Sequence, residues 1–166
     1  MASLDNLKAA FAGESQANRR YLAFAKKADA EGFKQVAKIF RAAAEAETVH
    51  ALAHFRVMGG VKDTAANLVE AAEGERYEFQ EMYPPFLAEA QKEGHKAAAA
   101  SFKNALVVEE IHNRLYREAL DSVKQGKDLS TQSIFVCSVC GNTVIGAAPD
   151  TCTVCNVGKD KFVEVK

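Results

Sequence analysis

Glu47-Thr48-Val49-His50 is the stretch that decides the fold, and Glu109-Glu110-Ile111-His112 repeats it. Positions three apart on a helix share a face, so each stretch aims one carboxylate and one imidazole in a single direction. A lone E-x-x-H is weak evidence, because such residues are common as ordinary solvated or hydrogen-bonded helix side chains. Here the pattern is doubled upstream as well: Glu14 lies 33 residues before Glu47, and Glu75 lies 34 before Glu109. Each upstream glutamate follows a glycine, Gly13 or Gly74, a residue that costs about 1 kcal/mol inside a helix. Their equivalent placement marks a half-repeat; close helix packing or space beside a ligand carboxylate accounts equally for either glycine.

Around these stretches the apolar residues recur at helical intervals. A first helix is expected over 4–31, with Leu7, Phe11, Tyr21, Leu22 and Phe24 on its apolar face and Gly32 as its stop. A second, over 33–58, carries Val36, Ile39, Phe40, Leu52 and Phe55 and ends at Gly59-Gly60. A third starts near Asp63 or Thr64, either able to cap it, and carries Leu68, Val69, Tyr77, Phe79 and Met82. Pro84-Pro85 should break or kink it, with a short continuation to Glu93 before Gly94. The fourth runs over 95–124, with Phe102, Leu106, Ile111, Leu115, Tyr116 and Leu120. Four long amphipathic segments with short glycine-marked connections imply a four-helix bundle over 1–126.

The net charge of −1, with acids and bases interspersed, offers no basic field for nucleic acid and no polybasic patch for a membrane surface. The start has no charged region leading into an apolar core, no apolar run approaches the ~18 residues of a membrane helix, and a cytoplasmic location is expected. Five carboxylates, Glu14, Glu47, Glu75, Glu78 and Glu109, would crowd together if all faced the bundle interior. Unpaired buried carboxylates cost several kcal/mol each, and two divalent cations would compensate most of that charge. A donor set rich in carboxylate, with one imidazole per half, suits iron or manganese better than structural zinc. One Glu from each of two helices plus Glu-x-x-His from each of the other two is the di-iron or di-manganese carboxylate pattern.

The segments Ala12-Gly13-Glu14-Ser15-Gln16-Ala17-Asn18, Glu45-Ala46-Glu47-Thr48-Val49-His50, Gly74-Glu75-Arg76-Tyr77-Glu78 and Met82-Tyr83-Pro84 resemble the signatures of the rubrerythrin family, and the resemblance covers essentially the whole chain. Its distinguishing feature is Glu78, an extra carboxylate one turn after Glu75. The resemblance implies a ferritin-like bundle whose two non-haem irons are bridged by Glu47 and Glu109, with Glu14 on one iron and Glu75 and His112 on the other. It further implies that the first iron exchanges Glu78 for His50 on reduction, and that Tyr21 and Tyr83 line the pocket. Packing accounts equally well for both tyrosines. His54 reads as packing or as a neighbour of the ligands, and His95 as a surface residue at a helix start.

Beyond a polar linker over 127–133 the chain changes character. Cys137, Cys140, Cys152 and Cys155 form two C-x-x-C pairs in an otherwise cysteine-free chain, a spacing that favours metal over disulfide where no secretion signal is seen. Roughly 35 residues cannot bury enough surface to fold unaided, so a metal held by four thiolates is the expected staple over 134–166. Spacing alone does not separate zinc from iron. Phe135, Gly141 and Phe162 make the segment similar to the rubredoxin-like domain of rubrerythrins, which implies iron; Thr153 departs from the family, which often has proline there. The resemblance then implies a peroxidase that reduces hydrogen peroxide to water. Electrons would come from NAD(P)H through a separate reductase or rubredoxin, since no G-x-G-x-x-G is present. It also implies a homodimer with the small domain of one chain near the di-iron site of its partner. The same carboxylates would also serve a ferroxidase or iron-handling protein, which has no need of a thiolate-bound iron. A non-enzymatic helical module with a zinc ribbon would be colourless, and an oxygenase would need a substrate cavity that no motif marks.

Overall fold

The computed structural model describes residues 2–130 and 132–166; Met1 and, within the expected linker, Thr131 lie outside the described residues. The chain divides into two compact units, Met1–Lys62 and Asp63–Lys166. No helix among the described residues is long and apolar enough to cross a membrane.

The first unit is a hairpin of α1 (Ala2–Ala30) and α2 (Lys34–Val57). Its seam is made of alanines: Ala17, Ala25, Ala28, Ala37, Ala44 and Ala51 are all buried, and small side chains let the two backbones approach closely. Phe24, Val36, Ile39 and Leu52, expected on the apolar faces, remain exposed instead, because they lie off that alanine seam. The turn follows from Gly32, whose φ of 87° is a left-handed conformation that side chains disfavour. It lets Phe33 N–H bond back to Ala28 O at 2.8 Å and close the helix end.

The second unit begins with α3 (Thr64–Tyr77), whose cap is Asp63: its carboxylate accepts from Ala66 N–H at 2.8 Å. The rod continues through a π-helical segment, Glu78–Met82, into α4 (Tyr83–Lys92). The expected proline break is thus accommodated without ending the rod. Pro84 and Pro85 occupy the first turn of α4, where missing N–H groups cost least, and Tyr83 N–H reaches Glu78 O five residues back. Gly94 then repeats the turn at Gly32, with His95 N–H bonding Ala90 O at 2.8 Å. His95, an exposed residue at a helix start as expected, caps α5 (Lys96–Lys124) by accepting from Ala98 N–H at 3.3 Å.

The π segment explains the unequal spacings. Gly13 and Glu14 precede Gly74 and Glu75 by 61 positions, whereas Tyr21, Gly32, Phe40 and Glu47 precede Tyr83, Gly94, Phe102 and Glu109 by 62. One residue has been added between Glu75 and Tyr83, where the helix widens to hold it. Aromatic packing repeats on the same offset. Tyr21 and Phe24 lie against Phe40 with ring centroids 6.4 and 5.6 Å apart, and Tyr83 and Phe86 lie against Phe102 at 6.3 and 5.7 Å.

After α5 comes a three-stranded antiparallel sheet of order β2-β1-β3: β1 (Ile134–Cys137), β2 (Thr143–Ile145) and β3 (Phe162–Glu164). Phe162 pairs with Cys137 across the sheet. A 3-10 turn, Lys159–Lys161, leads into β3.

Candidate metal centres

The expected ligands gather into three groups. In the first unit Glu14, Glu47 and His50 bring one ligand atom each within 4.8 Å of one another. Glu47 and His50 sit one turn apart on α2, with His50 Nδ1 3.0 Å from Glu47 Oε2. The His50 hydrogen bond, and then that of Glu14, holds the Glu47 carboxyl below its ordinary range.

In the second unit Glu75, Glu109 and His112 do the same. His112 Nδ1 lies 2.8 Å from Glu109 Oε2 and 3.9 Å from Glu75 Oε1. Burial, followed by the charge of Glu109, pushes the Glu75 carboxyl up to about 7 against the opposing pull of His112. Glu78 is raised as well, by burial and then by Glu109. Its carboxylate does not join a group of three or more ligand side chains among the described residues. Two carboxyls, Glu75 and Glu78, held back from ionising beside the carboxylate of Glu109 are what a site built for a cation shows when only protons are available to neutralise it. The donor set fits iron on this ground.

Two tyrosines respond to the same charges. Burial raises the Tyr83 hydroxyl, with Glu78 the largest charge acting on it. Tyr116, one turn after His112, is raised by burial and then by Glu75 and Glu109. Sequence reasoning placed Tyr116 only as an apolar filler; its i+4 spacing from His112 was the available signal. Tyr21 takes part in the aromatic cluster of the first unit. His54 joins no ligand group among the described residues. A Cβ built on Gly13 or Gly74 meets nothing within 4 Å, so packing within either unit does not require glycine there.

A buried amide in each unit went unnoticed in the sequence. Asn18, four residues after Glu14, donates to Ala44 O at 2.7 Å, three residues before Glu47. Asn113, four residues after Glu109, donates to Ala72 O at 2.6 Å, three residues before Glu75. Each clamp crosses its hairpin one turn from both glutamates and sets their register.

The four cysteines form the third group. Cys137 Sγ to Cys155 Sγ and Cys140 Sγ to Cys152 Sγ are each 3.7 Å, close to the ~3.8 Å edge of a tetrahedron with metal–sulfur bonds of about 2.3 Å. Each C-x-x-C is followed by a left-handed residue, Gly141 at φ 85° and Asn156 at φ 61°. The reversals let Gly141 N–H bond Cys137 O at 2.8 Å and Asn156 N–H bond Cys152 O at 2.9 Å. Burial pushes Cys140 and Cys155 up. Burial acts upward on Cys152 too, but the N–H groups of Cys155 and Val154 and the Asn142 amide outweigh it and bring that thiol to about 6. Thr153 accepts from Asn142 Nδ2 at 3.4 Å, giving the fully buried Asn142 a side-chain acceptor that proline would not supply.

Helical carboxylate–histidine groups with a four-thiolate knuckle module define a ferritin-like non-haem iron protein carrying a rubredoxin-like domain. The chain belongs to the rubrerythrin family: the rubrerythrin family model matches residues 5–120, and that of the rubrerythrin rubredoxin-like domain matches 135–163. It is 34% identical to rubrerythrin-2 of Clostridium acetobutylicum, covering 95% of this chain and 94% of that one. It is 35% identical to nigerythrin of Nitratidesulfovibrio vulgaris, covering 97% and 85%. Among solved structures, fully reduced, all-ferrous nigerythrin resembles it with a TM-score of 0.59 at 32% identity, over 98% of this chain and 86% of that one. Its cofactors are those of the family, a di-iron site and an iron held by four cysteines, and its class is that of oxidoreductases with an electron-transfer domain.

Proposed function

We propose that the chain is a non-haem di-iron peroxidase that reduces hydrogen peroxide to water, H2O2 + 2 e− + 2 H+ → 2 H2O, in defence against oxidative stress. The observation that carries this reading is the junction, inside Asp63–Lys166, of a carboxylate–histidine group and a four-thiolate module, with His112 Nε2 2.9 Å from Thr143 Oγ1. An iron store or ferroxidase has no use for an electron relay beside its oxidation site. The iron ligands assigned are Glu14, Glu47, His50, Glu75, Glu78, Glu109 and His112, with Cys137, Cys140, Cys152 and Cys155 holding the relay iron. When bound, the di-iron pair supplies the two electrons that cleave the O–O bond. Tyr83 is assigned as a hydrogen-bond donor in the pocket: burial makes it keep its proton more firmly than usual, and Glu78 is the largest charge acting on it. His50 is assigned as the ligand that replaces Glu78 on reduction, and Tyr21 as the pocket tyrosine of the first unit.

The functional division that goes with this reading is 1–126 for the di-iron domain, 127–133 for the linker and 134–166 for the relay domain. A homodimer in the cytoplasm, served by rubredoxin or an NAD(P)H-dependent reductase, completes it. The test is stopped-flow mixing of fully reduced, iron-loaded protein with stoichiometric hydrogen peroxide, following the di-iron and thiolate-iron absorption separately. Both centres should oxidise, and Glu78→Ala should slow the di-iron phase. If peroxide leaves both reduced while oxygen with added Fe(II) is consumed, the ferroxidase reading replaces this one.

A further inference from the structure

We infer that Thr143 is the positioning residue that latches the four-thiolate module onto His112 of the same chain and commits His112 Nδ1 to the metal. His112 stands between two surfaces of the second unit. Its Nδ1 faces Glu109 Oε2 at 2.8 Å and Glu75 Oε1 at 3.9 Å, and its Nε2 faces Thr143 Oγ1 at 2.9 Å. The Thr143 hydroxyl has one proton to give. Gly141 O lies 3.2 Å from Oγ1 and can only accept; with the proton given there, Oγ1 is free to accept from Nε2–H. Nδ1 then carries a bare lone pair pointed at carboxylate oxygens. Acceptors facing acceptors at that distance are reconciled by a cation, which is where an iron ligand should aim.

The other end of the chain of bonds is the thiolate knuckle itself. Gly141 directly follows Cys140, and its N–H bonds Cys137 O at 2.8 Å. From His112 to the Cys140 backbone the route is therefore two hydrogen bonds and covalent links. Ring nitrogens opposite the metal commonly donate to an acceptor that fixes tautomer and orientation, and loss of that acceptor typically costs 10–100-fold in metal affinity. Here the acceptor belongs to the relay domain, so docking of that domain and readiness of the di-iron ligand are one event.

This inference rests on the di-iron reading but is tested apart from peroxide turnover, with Zn2+ as the probe. Thr143→Val keeps the branched shape on β2 and removes the hydroxyl; Thr143→Ser keeps the hydroxyl. Chelator competition at the carboxylate–histidine group should show zinc weakened about 10–100-fold in Thr143→Val, with Thr143→Ser within about 3-fold of the parent. In 15N-histidine NMR of the zinc-loaded protein, the His112 Nε2 proton should be protected from solvent in parent and Thr143→Ser and lost to exchange in Thr143→Val. Unchanged thiolate-iron absorption shows the module intact; if Val disturbs it, Thr143→Ala carries the same expectation. Parent-like zinc affinity and a protected proton in Thr143→Val, or equal loss in Val and Ser, overturns the inference. A failed peroxidase assay with these zinc results intact would instead sink the functional reading alone.

Discussion

Glu75→Gln should stabilise the metal-free protein at neutral pH while abolishing its hold on metal. Moving a carboxyl from its ordinary 4.5 to about 7 corresponds to roughly 3 kcal/mol between charged and neutral forms. The side chain keeps 20% of its surface, and solvent screening there cuts the realised penalty to about 1–2 kcal/mol. Because the folded state binds this proton more tightly than the unfolded chain, stability falls as pH rises from about 4.5 to about 7 and stays reduced above that. The Gln variant lacks that slope. Urea denaturation of both proteins, stripped at the carboxylate sites but with the thiolate iron retained, should give equal stabilities near pH 4.5. The variant should lead by about 1–2 kcal/mol at pH 8. With Fe(II) present the order should invert, since bound metal stabilises only the form that binds it. A difference that does not vary across pH 4.5–7.5, or a variant weaker than the parent at pH 8 without metal, would refute the view of Glu75 as a ligand held charged by a cation.

Asn113→Ala should lose about 1–2 kcal/mol, since it deletes a buried 2.6 Å bond to Ala72 O, and should weaken metal at Glu75 and Glu109 while leaving the thiolate iron untouched; denaturation and metal titration check both. Gly60→Ala should cost about 1–3 kcal/mol in thermal unfolding, because the new Cβ overlaps the Phe55 ring and displaces it from its stack on Phe11 at 5.0 Å. Cys152→Ser should lose the thiolate-iron colour and, with it, backbone amide protection over 134–166, as hydrogen exchange would report, because so small a module has little else to hold it.

Much of this was legible because it is periodic. Glutamate and histidine three apart declared a helix face, glycines at 32, 59 and 94 declared ends, and the cysteine pairs declared a knuckle. What stayed hidden depends on partners far along the chain. Asn18 and Asn113 are unremarkable polar letters until Ala44 and Ala72 are seen to offer carbonyls across the hairpin. Tyr116 looks like filler until burial and two carboxylates act on it. Phe24, Val36, Ile39 and Leu52 followed the apolar period yet stay exposed, because alanines at neighbouring phases take the seam. The spacings of 33 and 34 were visible from the start, but only the backbone shows which turn took the extra residue.

That extra residue has a meaning beyond geometry. A chain that copies its own hairpin would build two interchangeable halves, with neither able to tell its own metal from the other's. Adding one residue to a rod of 3.6 per turn turns all that follows by about 100° unless the turn widens to absorb it. The widened turn begins at Glu78, whose counterpart before the insertion is the buried Ala17. The two copies are therefore unequal: one helix has a methyl group at this position, and the other an acid. In this chain a single added residue, at the turn that begins with Glu78, is where the difference between the two hairpins enters.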